Sequence, residues 1–161
     1  MQIHKSKDID QLSRDFADWL VDYAAATLQL KDRFTIALSG GSKPKKLHAI
    51  LASDGYKDRI DWPKWHFFMG DERFVPETDD RSNAKMCYET LLNHVPVLPQ
   101  NIHFYQTEGL TAPESAVQYE KLLRSYFEGK TTGLDLVILG MGDDGHTLSL
   151  FPNQPIIHQS D

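Results

Sequence analysis

An aspartate and a histidine two residues apart, Asp144 and His146, sit among glycines in the stretch DLVILGMGDDGHTLSLFP, Asp135 to Pro152. Imidazole has a reference pKa of about 6.5, which suits general-base work near neutrality. Adjacent glycines let backbone amides point at a reacting centre. The competing reading of His146 is a helix-capping histidine. Gly140, Gly142 and Gly145 also spell GxGxxG after an apolar run, the dinucleotide fingerprint. That match is misleading. Asp143 and Asp144 lie inside the loop and would repel a pyrophosphate. The helix, strand and distal acid that the fingerprint requires do not follow, and Pro152 already breaks the pattern. No nicotinamide or flavin is expected.

A second loop, Ser39 to Pro44, reads SGGSKP. Gly40 and Gly41 let the backbone approach a ligand and leave amides free. A helix starting directly after them adds donors and a favourable dipole. Ser42 adds a hydroxyl and Lys43 a charge. This is a phosphate cradle or a plain glycine turn with a helix cap. It is not a P-loop, because the GxxxxGK[ST] spacing is missing. A third loop places Asp71, Glu72 and Arg73 after WHFFMG. Arg73 could clamp a phosphate or carboxylate, and Asp71 could act as acid or base. The alternative is a surface ion-pair cluster. The other histidines, His4, His48, His66, His94, His103 and His158, lack partners at metal-ligand spacing. No metal site and no cofactor is expected.

The elements that must position these loops follow from periodicity. IDQLSRDFADWLVDYAAATL reads as an amphipathic helix, with Ile9, Leu12, Phe16, Trp19, Leu20 and Tyr23 at helical spacing. RFTIALSGG, WHFFMGDE, NIHFY and LDLVILG read as strands, the last being the most buried by composition. Helices are expected over PKKLHAILAS, opened by Pro44, over SNAKMCYETLLNHV, stopped by Pro96, and over APESAVQYEKLLRSYFEG, closed by Gly129. Alternation of strand and helix implies right-handed crossovers and a mostly parallel sheet with helices on both faces. Ligands bind such sheets outside the carboxyl ends of the strands. The topology therefore gathers SGGSKP, GDERFVP and GMGDDGH at one edge.

The totals bound the class. At 161 residues the chain is long enough for one domain with its own core. A net charge of −6 argues against a nucleic-acid surface. No run is long enough to span a membrane, and the start MQIHKSKDIDQL has no apolar signal core, so a cytoplasmic protein is expected. The single cysteine, Cys87, fits a reducing compartment, and its helical context reads as a buried thiol rather than a nucleophile.

Taken together, SGGSKP, DERFVPETDDRSN and LGMGDDGHTLSLFP resemble the 6-phosphogluconolactonase family, whose patterns are SGGS-x-P, DER-x-VP followed by SN, and LGMG-x-DGH-T-x-SLFP. The resemblance covers nearly the whole chain. It implies hydrolysis of 6-phosphogluconolactone, a phosphosugar lactone, to 6-phosphogluconate in the pentose phosphate pathway. It implies an α/β, Rossmann-like, doubly wound fold with no metal or cofactor. By motif position, His146 would activate water and Asp144 would orient it or the sugar. Gly40, Gly41 and Ser42 would hold the phosphate, and Arg73 would bind phosphate or nearby oxygens. Lys43, Asp71, Gly142 and Gly145 complete the expected substrate contacts. Lys43 stands where the family most often has threonine. Family members also continue beyond this point, so residues 1–161 are expected to form a single domain lacking the family's C-terminal part, with LDLVILG exposing an edge.

Two rivals remain at this stage. The related amino-sugar-phosphate isomerase/deaminase shares the DGH loop, but has glutamate where this chain has Phe151 and tyrosine where it has Arg73. A non-catalytic phosphosugar-binding module would keep the cradle, but has no need of a base such as His146.

Overall fold

The computed structural model describes residues 2–128 and 133–159. Helix α1 spans Ile9–Leu28, and the Asp8 side chain caps it by accepting from the Gln11 amide at 2.8 Å. Strand β1 (Phe34–Leu38) follows, then α2 (Ser42–Leu51), the short α3 (Asp54–Lys57) and β2 (Trp65–Met69). Next come α4 (Asn83–Thr90), β3 (Ile102–His103), α5 (Ala112–Phe127) and β4 (Leu136–Val137). Among the described residues every pairing within the sheet is parallel, and the order is β3-β2-β1-β4. After β3 the chain crosses back over the sheet, so right-handed crossovers put α5 on the face opposite α2 and α4.

Side-chain alternation along β2 confirms the two faces. Trp65, Phe67 and Met69 join Phe34, Ile36, Leu38, Leu20 and Leu47 in the main core beneath α1, α2 and α4. On the other face Phe68 meets Tyr126 and Phe127 of α5, at ring-centroid distances of 5.0 and 5.8 Å. The fold is thus the expected doubly wound α/β sheet. β3 ends too early to pair the last residue of β2. The Tyr119 hydroxyl of α5 substitutes for it, accepting from the Met69 amide at 3.0 Å and donating to the Met69 carbonyl at 3.1 Å. Burial lifts the Tyr119 phenol well above its ordinary pKa, so it stays a donor.

Four expectations change. α2 begins at Ser42, two residues before Pro44, because Gly41 turns the chain at φ 108°. The helix from Asn83 stops at Thr90 and tightens into a 3-10 turn over Leu92–His94 before Pro96. On α1, Leu12, Trp19 and Tyr23 form a second, half-exposed stripe, while Ala17, Leu20, Val21 and Ala24 face the core. The LDLVILG run is not the most buried strand. Only Leu136 and Val137 pair, and Val137, Leu139 and Met141 are 42%, 59% and 76% exposed, because β4 is an edge strand. The expected stop at Gly129 lies outside the described residues. Cys87 is fully buried, and burial pushes its thiol up to about 12.

A two-residue ladder needs other support, and Asp135 provides it. Its carboxylate accepts from the Thr35 amide at 2.9 Å and the Thr35 hydroxyl at 2.8 Å, and pairs with Lys31. The Tyr23 hydroxyl donates to its carbonyl at 3.1 Å. Burial raises the Asp135 pKa, but the hydrogen bonds from Lys31 and Thr35 outweigh it and leave the group below the ordinary carboxylate range. A depressed carboxylate stabilises fully above its unfolded value of about 4, and that stabilisation is lost as pH falls through the folded value. Asp135→Asn should therefore cost about 2–3 kcal/mol at pH 7. The gap from wild type should narrow in urea titrations below about pH 3.

Candidate active site

The sheet order places a topological switch point between β1 and β4, where connections leave in opposite directions. The loops after β1 and β4 open there, and the loop after β2 joins them from the neighbouring strand. A cavity of about 210 Å³ lies between the three. Its walls include Gly40, Gly41, Ser42 and Lys43 from the first loop, Asp71 and Arg73 from the second, and Gly142 and His146 from the third. Of the sequence-derived site residues, only Asp144 and Gly145 do not line it. Both sit directly behind His146 in the loop.

The first loop delivers donors. Gly41 occupies the N-cap of α2 and no side chain caps the helix. Pro44 carries no amide hydrogen. The Ser42 and Lys43 amides therefore face the cavity end of α2 without a protein acceptor among the described residues. That is an anion-ready helix start. The Lys43 and Arg73 side chains make no ion pair among the described residues, so both charges remain available there.

The second loop is not a surface ion-pair cluster. Glu72 turns inward and caps α4, accepting from the Asn83 amide at 2.7 Å and the Ala84 amide at 2.8 Å. It also accepts from the Arg73 amide at 2.7 Å, which fixes where Arg73 leaves the loop. Asn83 then donates from Nδ2 to the Asp71 carbonyl at 3.1 Å. Its amide packs so tightly on the first loop that a Cβ on Gly40 would lie 2.0 Å from Asn83 Oδ1. Gly40 is thus required by a neighbour, not by its own turn.

The third loop carries the His–Asp pair. His146 Nδ1 lies 2.5 Å from Asp144 Oδ1, and the same oxygen accepts from the His146 amide at 3.1 Å. A carboxylate only accepts, so Nδ1 holds the proton, and in the neutral imidazole Nε2 is the atom with the lone pair. The hydrogen bonds from the His146 side chain and amide lower the Asp144 pKa, keeping it ionised. Gly142 passes so close that a Cβ there would sit 2.2 Å from His146 Cε1. The loop consumes two of its own amides: Gly142 donates to the His146 carbonyl at 2.8 Å and Gly145 to the Gly142 carbonyl at 3.0 Å. Two of the loop's three glycine amides are therefore spent, and that of Gly140, at the cavity wall, makes no hydrogen bond among the described residues. Ser149 ties the loop to the second, donating to Asp71 Oδ2 at 2.6 Å.

Sequence reasoning did not assign Asn83 or Ser149 a role, although both lie within the quoted motifs. Nothing local marks them, since their contacts reach residues 12 and 78 positions away.

A parallel sheet with an anion-ready helix start and an oriented imidazole at its switch point is one class of arrangement, able to hold a phosphate-bearing ligand and present a base to it. The comparisons narrow it. Residues 7–161 match the model of the family described as glucosamine-6-phosphate isomerases/6-phosphogluconolactonase. The chain belongs to that family. It is 39% identical over 157 residues to 6-phosphogluconolactonase 3, chloroplastic, of Arabidopsis thaliana, covering 88% of this chain and 48% of that protein. It is 38% identical to the 6-phosphogluconolactonase of Nostoc sp., covering 89% of this chain and 60% of that one. The structure of 6-phosphogluconolactonase from Trypanosoma brucei superposes with a TM-score of 0.82 at 30% identity, over 99% of this chain and 66% of that chain. A monomeric glucosamine-6-phosphate deaminase, with a TM-score of 0.76 at 18% identity, shares the fold. The chain spans about half to three fifths of the length of the curated relatives quoted.

The Gly40–Asn83 contact yields a test of how the loops are locked. Gly40→Ala should destabilise by about 1–3 kcal/mol, read by chemical denaturation. In a double-mutant cycle, Asn83→Ala should absorb most of that cost, because it removes the atoms the new methyl group meets.

Proposed function

We propose that this chain carries the lactonase chemistry of its family: hydrolysis of 6-phospho-D-glucono-1,5-lactone to 6-phosphogluconate, in the oxidative branch of the pentose phosphate pathway. The observation that carries the reading is the oriented His146–Asp144 pair facing the uncapped start of α2 across one small cavity. The phosphate docks on the Ser42 and Lys43 amides, with Gly40 and Gly41 allowing its approach and Lys43 and Arg73 adding charge. That anchor sets the lactone ring against His146.

His146 Nε2 takes a proton from water as the water oxygen bonds to the lactone carbonyl carbon. Asp144 stabilises the imidazolium that forms, the role of the carboxylate in a serine-hydrolase triad. The tetrahedral oxyanion needs fixed donors. With the Gly142 and Gly145 amides spent within their loop and the first loop holding the phosphate, the Gly140 amide at the cavity wall is the glycine donor left for it. Collapse of the intermediate breaks the bond to the ring oxygen, which takes the proton from His146. Asp71, fixed by Ser149, sits where it can accept from a sugar hydroxyl. The substrate is a small phosphosugar lactone, and neither nucleic acid nor membrane enters the reading. Among the described residues no helix is long and apolar enough to cross a membrane. We place the protein in the cytoplasm, and take residues 1–161 as belonging to one lactonase-like domain.

Loss of lactone generated in situ, followed above the spontaneous rate, tests the reading. His146→Ala should abolish the enhancement. Asp144→Asn should lower kcat by about 10²–10⁴-fold, since an amide no longer enforces the Nδ1–H tautomer. Arg73→Ala should raise KM more than it lowers kcat. An enhancement that survives His146→Ala would refute the assignment of the base.

A further inference from the structure

We infer that Phe151 is a positioning residue that clamps the His146 imidazole, a role that rests on the lactonase reading above. The chain doubles back directly after the histidine. Thr147 and Leu150 form an antiparallel bridge, closed by the Leu150 amide donating to the Thr147 carbonyl at 2.9 Å. Leu148 makes the turn with φ 50°, a left-handed conformation rare for a residue with a side chain. Two contacts hold the reversal in place. Leu148 packs over Gly70, where a Cβ would fall 2.9 Å from Leu148 Cδ2, and Thr147 Oγ1 donates to the Gly140 carbonyl at 2.8 Å.

The reversal lays Phe151 on the imidazole, with ring centroids 4.4 Å apart and planes tilted by 29°. Phe151 is 44% exposed, so burial in a core does not account for it. The three restraints on the ring differ in direction. Asp144 holds the Nδ1 edge, the Gly142 backbone blocks the Cε1 edge, and Phe151 covers a face. The Asp144 bond acts at a ring edge, and Gly142 crowds the Nδ1–Cε1 side of the ring. Rotation about χ2 of a histidine is soft, and the Asp144 hydrogen bond holds the ring at one edge only, so a contact on its face adds a second restraint. Phe151 fixes the plane itself, which sets the direction of the Nε2 lone pair. It has no polar atom, so it neither moves a proton nor holds the phosphate. Its loss should therefore appear in kcat and leave KM alone.

The test uses the full chain as wild type, Phe151→Leu and Phe151→Tyr, with lactone generated in situ and melting temperatures in parallel. The expected result is a kcat about tenfold lower in Phe151→Leu, with KM within about twofold and an unchanged melting temperature. Phe151→Tyr, which keeps the aromatic face, should recover kcat to within about twofold. Unchanged kcat in Phe151→Leu, or a loss confined to KM, would overturn the inference while leaving the lactonase reading intact. Should the wild type not accelerate hydrolysis, that reading of the chain fails separately, and NMR decides the role of Phe151. The His146 Nδ1–H proton should be protected from solvent exchange in wild type and Phe151→Tyr, and lost in Phe151→Leu. A resonance that persists in Phe151→Leu would sink the clamp.

Discussion

One buried carboxylate holds the working part of this molecule to the rest. β4 offers only Leu136 and Val137 to β1, yet the loop that follows carries Asp144 and His146. Two backbone-paired residues do not fix a loop of that length. Asp135 supplies what the ladder lacks. It ties the strand to Thr35 by amide and hydroxyl, and to α1 through Tyr23 and the adjoining Lys31. Its side chain is 7% exposed, so the two bonds from Thr35 are partly shielded from water and strengthened by the lower local dielectric. With the Ser149–Asp71 bond and the seat of Leu148 over Gly70, that anchor makes the switch point between β1 and β4 a fixed opening.

Around the opening, hydrogen-bond supply is divided among the loops. The second loop uses Glu72 to satisfy the start of α4, and this leaves Arg73 unpaired toward the cavity. The third spends the Gly142 and Gly145 amides to shape itself around His146. The first keeps the Ser42 and Lys43 amides free among the described residues, because Gly41 has no side chain to cap α2 and Pro44 has no amide hydrogen. The same glycine-rich appearance thus covers two different jobs: one loop is built to present amides to a ligand, the other to grip an imidazole.

The sequence announced the architecture well and the locks poorly. Periodicity located α1 to the residue, since Ile9–Leu28 has a clean cap at Asp8 and no internal breaker. All four strands fell within their apolar runs. Composition failed for β4, where an apolar run sits on an edge instead of the centre, because composition reports burial and not pairing order. It also failed for Leu12, Trp19 and Tyr23, which share the helical period of α1 but not its buried face. In the site, His146, Asp144, Arg73 and the first-loop residues stood out by type and spacing. The packing of Asn83 on Gly40, the inward turn of Glu72 and the stacking of Phe151 did not, because each is decided by a tertiary neighbour.

The stitch between Asp135 and Thr35 also orders events in time. It joins residues 100 positions apart, and the Ser149–Asp71 bond spans 78. The β1–β2 pairing and the packing of α1 on α2 close much shorter loops and need nothing beyond Met69. Loop-closure entropy favours such near contacts in the folding nucleus. During synthesis the α1–β1–α2–β2 layer emerges first and can condense while the segment bearing His146 is still to come. The loop bearing His146 is then a late addition to a sheet already formed, and slow docking of β4 would delay the closing of the cavity without delaying the appearance of helix.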